Sequence, residues 1–199
     1  MFKLKKTALG MAVAAGVVFG AQTIAGEEEA EMVSVKAMAD ALHIVMDSDR
    51  TVYTKKIVNR LVKKDKVIKA SEHFEDDQAL ALPAQMFRFG SELAAQRAEK
   101  NPDVNFSYSL QSLWPINRQN APKTDAEKDG LKYIAENKGK NYYTTETLGG
   151  QKYFTAVYPD MGVAPVCVEC HNKHPDTPKK DFKIGDVMGG VVIRIPVGS

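Results

Sequence analysis

The chain of 199 residues has only two cysteines, and they stand three positions apart directly before a histidine. The segment reads Cys167-Val168-Glu169-Cys170-His171. Two thiols at this spacing can reach the two vinyl groups on one edge of a porphyrin, and the imidazole that follows turns towards the iron. The motif therefore predicts one covalently attached haem c, fixed by Cys167 and Cys170, with His171 as the proximal iron ligand.

Three other uses of a cysteine pair fit these residues less well. Zinc takes four ligands, and the chain has no second cysteine pair. His174 could be a third ligand, but a fourth is not apparent. A thioredoxin-like redox pair opens a helix after a strand in a βαβ unit, a pattern that this chain lacks. A simple disulfide, which export would allow, needs no histidine at position 171.

The first 25 residues predict export to the periplasm. Three lysines within the first six residues precede an apolar run from Ala8 to Ala21, and small residues end at Ala25. About 14 apolar residues fall short of the roughly 20 that span a bilayer, so we expect a cleaved signal peptide over 1–25 and no permanent membrane anchor. Its removal takes away three lysines and changes the formal net charge from +2 to −1. Without a basic stripe, no nucleic-acid partner is expected.

Hydrophobic periodicity divides the rest of the chain into two regions. In residues 26–100, apolar side chains recur at spacings of three and four, which predicts helices over 30–69 and 83–100. Residues 101–199 show a mixed pattern that contains the cysteine motif. We therefore take 26–100 as an N-terminal helical region and 101–199 as the haem domain.

The haem domain combines strands with one helix. A strand is predicted over 104–110, Thr124 and Glu127 form a capping box that begins the helix, and Gly149-Gly150 is a hairpin turn. The remaining predictions are strands over 141–147, 151–158 and 191–197, with the cysteine motif in a loop before the last strand. Strands joined by hairpins imply an antiparallel sheet, so we predict an α+β fold with the helices on one side.

Three sequence blocks after residue 110 match the pattern of a known family. They read SLWPINRQNAP at 112–122 followed by Glu127, YFTAVYPD at 153–160, and CVECHN, HP and PKKDFKIGDVMGG between 167 and 190. On these residues, the chain from about Leu110 to Val197 resembles a family of exported single-haem c-type proteins with a PAS-like fold, which includes a cyanobacterial cysteine-ligated haem c protein. The family also forms the sensory part of membrane-bound signalling proteins. The resemblance therefore implies a PAS-like haem domain that senses redox state or small gases.

The second iron ligand is where the chain departs from that family. Many members carry a cysteine in the N-terminal helical part as this ligand, and the present chain has no third cysteine. A Cys/His pair of axial ligands is therefore excluded.

His43 is the first candidate for the sixth ligand. It shares one face of the predicted helix with Met46, Arg50 and Tyr53, at spacings of three, four and three. Arg50 could pair with a haem propionate or hydrogen-bond a diatomic ligand, and Tyr53 could do the latter. The same stripe would also serve as core or as a dimer contact, and Met46 is more typical of packing.

His174 is a further haem-pocket residue on the sequence evidence. It follows the proximal His171 by only three positions, which places it poorly for the opposite face of the haem. A hydrogen bond to a propionate or to the loop backbone suits it better.

These observations support three classes of function. The first is haem-based redox or gas sensing, with a small diatomic gas or a redox partner protein as the partner and a homodimer as one allowed state. The alternative is a small electron-transfer cytochrome c, in which the axial ligands set the potential. A haem enzyme such as a peroxidase is less consistent with the chain, because no catalytic cluster accompanies the single haem, and no catalytic residue is assigned.

Overall fold

Four α-helices, a 12-residue π-helical segment, a three-residue 3-10 helix, a two-stranded sheet and a four-stranded antiparallel sheet form the regular structure of the described residues. The structure is a computed structural model that describes residues 33–101 and 104–198, so the predicted signal peptide lies outside the described residues. The predicted α+β fold class is confirmed. The PAS-like character implied by the family resemblance stays a prediction.

The predicted N-terminal helix has two parts with different backbone geometry. Helix α1 spans Val35–Val52, and the side chain of Ser34 caps it by accepting a hydrogen bond from the amide of Ala37 at 3.1 Å. The chain continues directly into a π-helical segment, Tyr53–Lys64. At this junction the hydroxyl of Thr54 donates to the carbonyl oxygen of Arg50 at 2.7 Å. A hydrogen bond from a threonine hydroxyl to the carbonyl oxygen four residues earlier bends helices, and here it lies where the α-helix changes into the π-helical segment.

A short connection and a second helix complete the N-terminal region. Strands β1 (Ala70–Ser71) and β2 (Leu80–Ala81) pair in parallel and close the polar segment between them. Helix α2 spans Pro83–Ala98, close to the prediction, and begins with proline because that position needs no amide donor.

The sheet has the strand order β3-β6-β5-β4, and all neighbours are antiparallel. Its strands are β3 (Ser107–Gln111), β4 (Tyr142–Leu148), β5 (Gln151–Met161) and β6 (Val187–Pro196). The predicted hairpin between β4 and β5 is confirmed, with positive φ at Gly149 and Gly150 as its tight turn requires. Strand β6 begins four residues earlier than predicted and includes Gly189, where a Cβ atom would stand 2.5 Å from the carbonyl oxygen of Gln111.

Helices cover both faces of the sheet, so the expectation of helices on one side is wrong. Helices α1 and α2 pack on one face, in a core cluster that includes Ala39, Phe87 and Ile193. Helix α3 (Asp125–Glu136), which begins at the predicted Thr124–Glu127 capping box, packs on the other face. Four successive residues of β5, Thr155–Tyr158, are consequently all buried. Buried and exposed side chains alternate only in a strand that has one face in solvent, and helices cover both faces of β5.

Within the described residues, no helix combines the length and the apolarity that crossing a membrane requires.

Candidate functional site

The cysteine motif lies on a short helix, α4 (Pro165–Lys173), and the prediction that a loop carries it is wrong. Pro165 occupies the first turn, and no further proline or glycine occurs before Pro175, so nothing in the segment opposes helix formation. The helix ends where the amide of His174 donates to the carbonyl oxygen of Cys170 at 2.9 Å.

The two cysteines are both free thiols. On a helix, residues three positions apart face the same side, so Cys167 and Cys170 present their sulfur atoms along one edge of α4. Cys167 is half-buried and Cys170 is exposed. This edge offers two attachment points that a ligand from outside the helix can reach.

His171 is held by the segment that follows α4. Its ring meets that of Phe182 edge-on, with centroids 6.0 Å apart, and Phe182 meets Trp114 in the same way at 5.7 Å. The side chain of Asn172 fixes this arrangement by donating to the carbonyl oxygen of Phe182 at 2.9 Å and accepting from its amide at 3.0 Å. Trp114 thus supports the ring of His171 through Phe182.

The imidazole of His171 is in the form that binds a metal. Burial lowers the pKa of His171, and the nearby Arg50 adds to this effect while Asp160 opposes it. The ring is therefore neutral at pH 7, and a neutral ring nitrogen has the lone pair that coordination needs. Its Nδ1 atom is buried without a hydrogen-bond partner among the described residues.

His43 stands on α1 in a similar environment. Its ring stacks on that of Tyr158 at 4.0 Å with an interplanar angle of 9°. The hydroxyl of Tyr158 in turn donates to Asp40, one helical turn before His43, at 2.8 Å. Burial lowers the pKa of His43, against smaller opposing effects of Asp47, Asp40 and Asp160. Its Nε2 atom is buried and has no partner in the described part of the chain.

Arg50 forms a buried ion pair with Asp160 at the end of β5. Both of its terminal nitrogens contact the carboxylate, and the Nη2–Oδ2 distance is 3.0 Å. Burial opposes the charge on Arg50, but Asp160 outweighs it and raises the pKa of the guanidinium. Asp160 also acts electrostatically on both His43 and His171, raising the pKa of each imidazole against the larger effect of burial. Asp160 was not among the predicted site residues, although its position at the end of an apolar strand was a signal.

The other predicted pocket residues have local partners. The hydroxyl of Tyr53 donates to the carbonyl oxygen of Ala81 at 2.8 Å, and Met46 packs against the core cluster under α1. The Nδ1 atom of His174 accepts from the amide of Asp176 at 3.2 Å. The structure thus brings His43 and Arg50 to the sheet beside Asp160. Tyr53, Met46 and His174 instead contact neighbouring parts of the protein.

These side chains fit a haem. Among the described residues there is no group of three or more His, Cys, Asp or Glu side chains that could hold a metal ion by themselves. A porphyrin supplies four nitrogen ligands of its own and needs only one or two from the protein. Two free thiols on one helix edge and the neutral imidazole of His171 would meet that need, and the Nε2 atom of His43 is a second imidazole nitrogen without a hydrogen-bond partner among the described residues.

The fold and the site define an α+β protein in which a Cys-x-x-Cys-His helix follows strand β5 and contacts the π-helical segment. The chain belongs to the Tll0287-like family, whose model matches residues 28–196, and the predicted family resemblance is thereby confirmed. The solved structure of the cyanobacterial heme-protein Tll0287 aligns with a TM-score of 0.47 and 12% identity, over 82% of this chain and 97% of that one. No curated protein matches the chain.

Proposed function

We propose that this chain is an exported haem protein that holds one haem c through Cys167 and Cys170, with His171 as the proximal iron ligand. The observation that carries the proposal is helix α4, on which two free thiols and a half-buried, neutral imidazole stand at the spacing of haem attachment. Family membership adds support, because the protein that gives the family its name is described as a heme-protein.

Each residue of the motif has a distinct task. Cys167 and Cys170 would hold the haem by thioether bonds, in which each sulfur bonds to one carbon of a vinyl group and the thiol hydrogen passes to the other, so that no atom is lost. His171 donates a ring nitrogen to the metal, and Phe182 fixes the plane of that ring. A bound haem would supply one-electron redox chemistry, and its iron would accept a second protein ligand.

We further propose His43 as that second ligand. A buried imidazole nitrogen without a partner costs free energy, and coordination would satisfy it. The stack on Tyr158 and the contact of Tyr158 with Asp40 hold the ring in one orientation.

A redox function, as a redox sensor or an electron carrier, is favoured over gas binding. The two side chains that could hydrogen-bond a diatomic ligand are already engaged, Arg50 with Asp160 and Tyr53 with the carbonyl oxygen of Ala81. Two imidazole ligands would also leave no open position on the metal. Export through the predicted signal peptide is consistent with this assignment, because haem c is attached outside the cytoplasm.

The test is expression of the full chain together with the machinery for c-type haem maturation. The purified protein should be red, should lack the signal peptide, and should be heavier than the mature apoprotein by the mass of one intact haem b. Cys167→Ala with Cys170→Ala should abolish the covalent link. A colourless product with free or disulfide-linked thiols would refute haem attachment.

The sixth ligand has its own test on the same protein. His43→Ala should convert a low-spin spectrum, indifferent to carbon monoxide, into a high-spin spectrum that responds to it. His73→Ala is the matched control, because His73 is 73% exposed and should leave the spectrum unchanged. A His43→Ala protein with an unaltered low-spin spectrum would show that another side chain is the ligand.

A further inference from the structure

A strongly basic surface lies directly beside the attachment helix. Residues 53–66, which contain the π-helical segment, carry six basic side chains and one acidic one, a formal charge of +5, whereas the whole chain carries +2. We call these six side chains the basic face; they are Lys55, Lys56, Arg60, Lys63, Lys64 and Lys66.

Two contacts place the basic face at the cysteine motif. Lys63 forms an ion pair at 2.5 Å with Glu169, which stands between the two cysteines. A groove of about 750 Å³ has Lys55, Lys56 and Lys64 among its walls and the entry to α4, at Ala164 and Pro165, on the other side. Any molecule that rests on the basic face therefore lies close to the haem edge of the proposed site.

Most of these charges have no counterion among the residues that the structure describes. Lys55, Lys56, Lys64 and Lys66 are exposed and form no ion pair with any described residue, whereas Arg60 pairs with Asp65 at 3.0 Å. Like charges this close repel one another, which is a cost that a partner with opposite charge removes. Long lysine side chains spread over a whole helical segment match an extended acidic surface better than a small enclosed ligand does.

We propose that the basic face is the docking surface for an electron-transfer protein with an acidic surface, which exchanges one electron with the haem at the edge of α4. This inference rests on the proposed function. Because the charges are exposed, their main effect should be on the association rate, which is electrostatically steered and falls as ionic strength rises.

Oxidation of the reduced holo-protein by a small anionic oxidant tests the surface. One electron leaves the ferrous haem and reduces hexacyanoferrate(III) to hexacyanoferrate(II). The second-order rate should rise about tenfold or more as ionic strength falls from about 300 to about 10 mM. The cationic oxidant tris(phenanthroline)cobalt(III) should show the opposite trend. Poly-L-glutamate, as a model of an acidic protein surface, should bind the protein and slow the hexacyanoferrate reaction.

Two triple variants with the same change of net charge localise the effect. Lys55→Glu, Lys56→Glu and Lys64→Glu together should remove the low-salt acceleration and the binding of poly-L-glutamate. The control changes Lys132, Lys140 and Lys152 to Glu; all three are exposed, lie elsewhere on the surface and make no ion pair in the described ranges. The control should keep its rates within about twofold of the parent.

The outcomes separate the inference from the proposed function. A colourless parent protein overturns both. A red protein whose two triple variants respond equally overturns the inference alone, because net charge would explain the rates. An altered haem spectrum in the basic-face variant overturns it too, because the lysines would then act on the haem propionates. Binding to phosphatidylglycerol vesicles without binding to poly-L-glutamate would assign the face to a membrane and refute a protein partner.

Discussion

Replacing Asp160 with Asn removes the negative charge of the buried ion pair and keeps the shape of the side chain. In the native protein the side chains of Arg50 and Asp160 are 15% and 9% exposed. The substitution leaves the guanidinium buried with no counterion, and breaking a buried pair in this way costs about 3–5 kcal/mol. For a chain of this length, each kcal/mol lowers the melting temperature by about 2–4 °C, so we expect a fall of about 6–20 °C.

Thermal unfolding of the holo-protein, followed by circular dichroism, measures this shift. The control is Glu92→Gln, which breaks the exposed pair with Arg88, where the two atoms are 3.7 Å apart and the side chains are 57% and 47% exposed. This control should change the free energy of unfolding by less than about 1 kcal/mol.

A double variant separates the loss of the pair from the isolated charge. Arg50→Met combined with Asp160→Leu removes both charges and should recover much of the stability that Asp160→Asn alone loses, because two apolar side chains replace the pair. If Asp160→Asn is no more harmful than Glu92→Gln, water reaches the pair and the reasoning from burial is wrong.

Three further predictions concern the two faces of the sheet. Glu127→Gln should destabilise the protein by about 2 kcal/mol in urea titrations, because the carboxylate is 2% exposed and accepts from Arg194 at 2.7 Å. Burial opposes the charge of Glu127, but its hydrogen-bond donors outweigh this and lower its pKa below the usual 4.5. The free energy of unfolding should therefore decrease as pH falls below that value, and it should decrease less steeply in the Glu127→Gln variant than in the parent protein. Gly130→Ala should destabilise by about 1–3 kcal/mol despite the better helix propensity of Ala, since its Cβ would lie 2.5 Å from the Cγ2 atom of buried Val157; an unchanged urea midpoint would contradict the contact. Because burial lowers the pKa of His43, the unfolded chain takes up a proton first as pH falls below about 6.5, so stability should decline there, and His43→Gln should weaken that decline.

The elements with local signals were predictable from the sequence. The capping box at Thr124 and Glu127 and the glycine turn at 149–150 each depend on residues within three positions of one another. Helix α2 and the β4–β5 hairpin follow from the same kind of local periodicity. The π-helical geometry of residues 53–64 had no such signal, because the spacing of apolar side chains that predicts a helix does not distinguish α from π backbone.

The candidate site divides in the same way. The chain by itself determined the Cys-x-x-Cys-His motif, since Cys167, Cys170 and His171 are parts of one short segment. Only the tertiary structure decided that Arg50 forms its ion pair with Asp160, 110 positions away, and that the ring of His43 stacks on that of Tyr158. The physical reason is that a helix spacing fixes which side chains share a face, whereas the partner of that face depends on strand register and burial. Burial also makes the two imidazoles neutral, and burial is a property of the assembled fold.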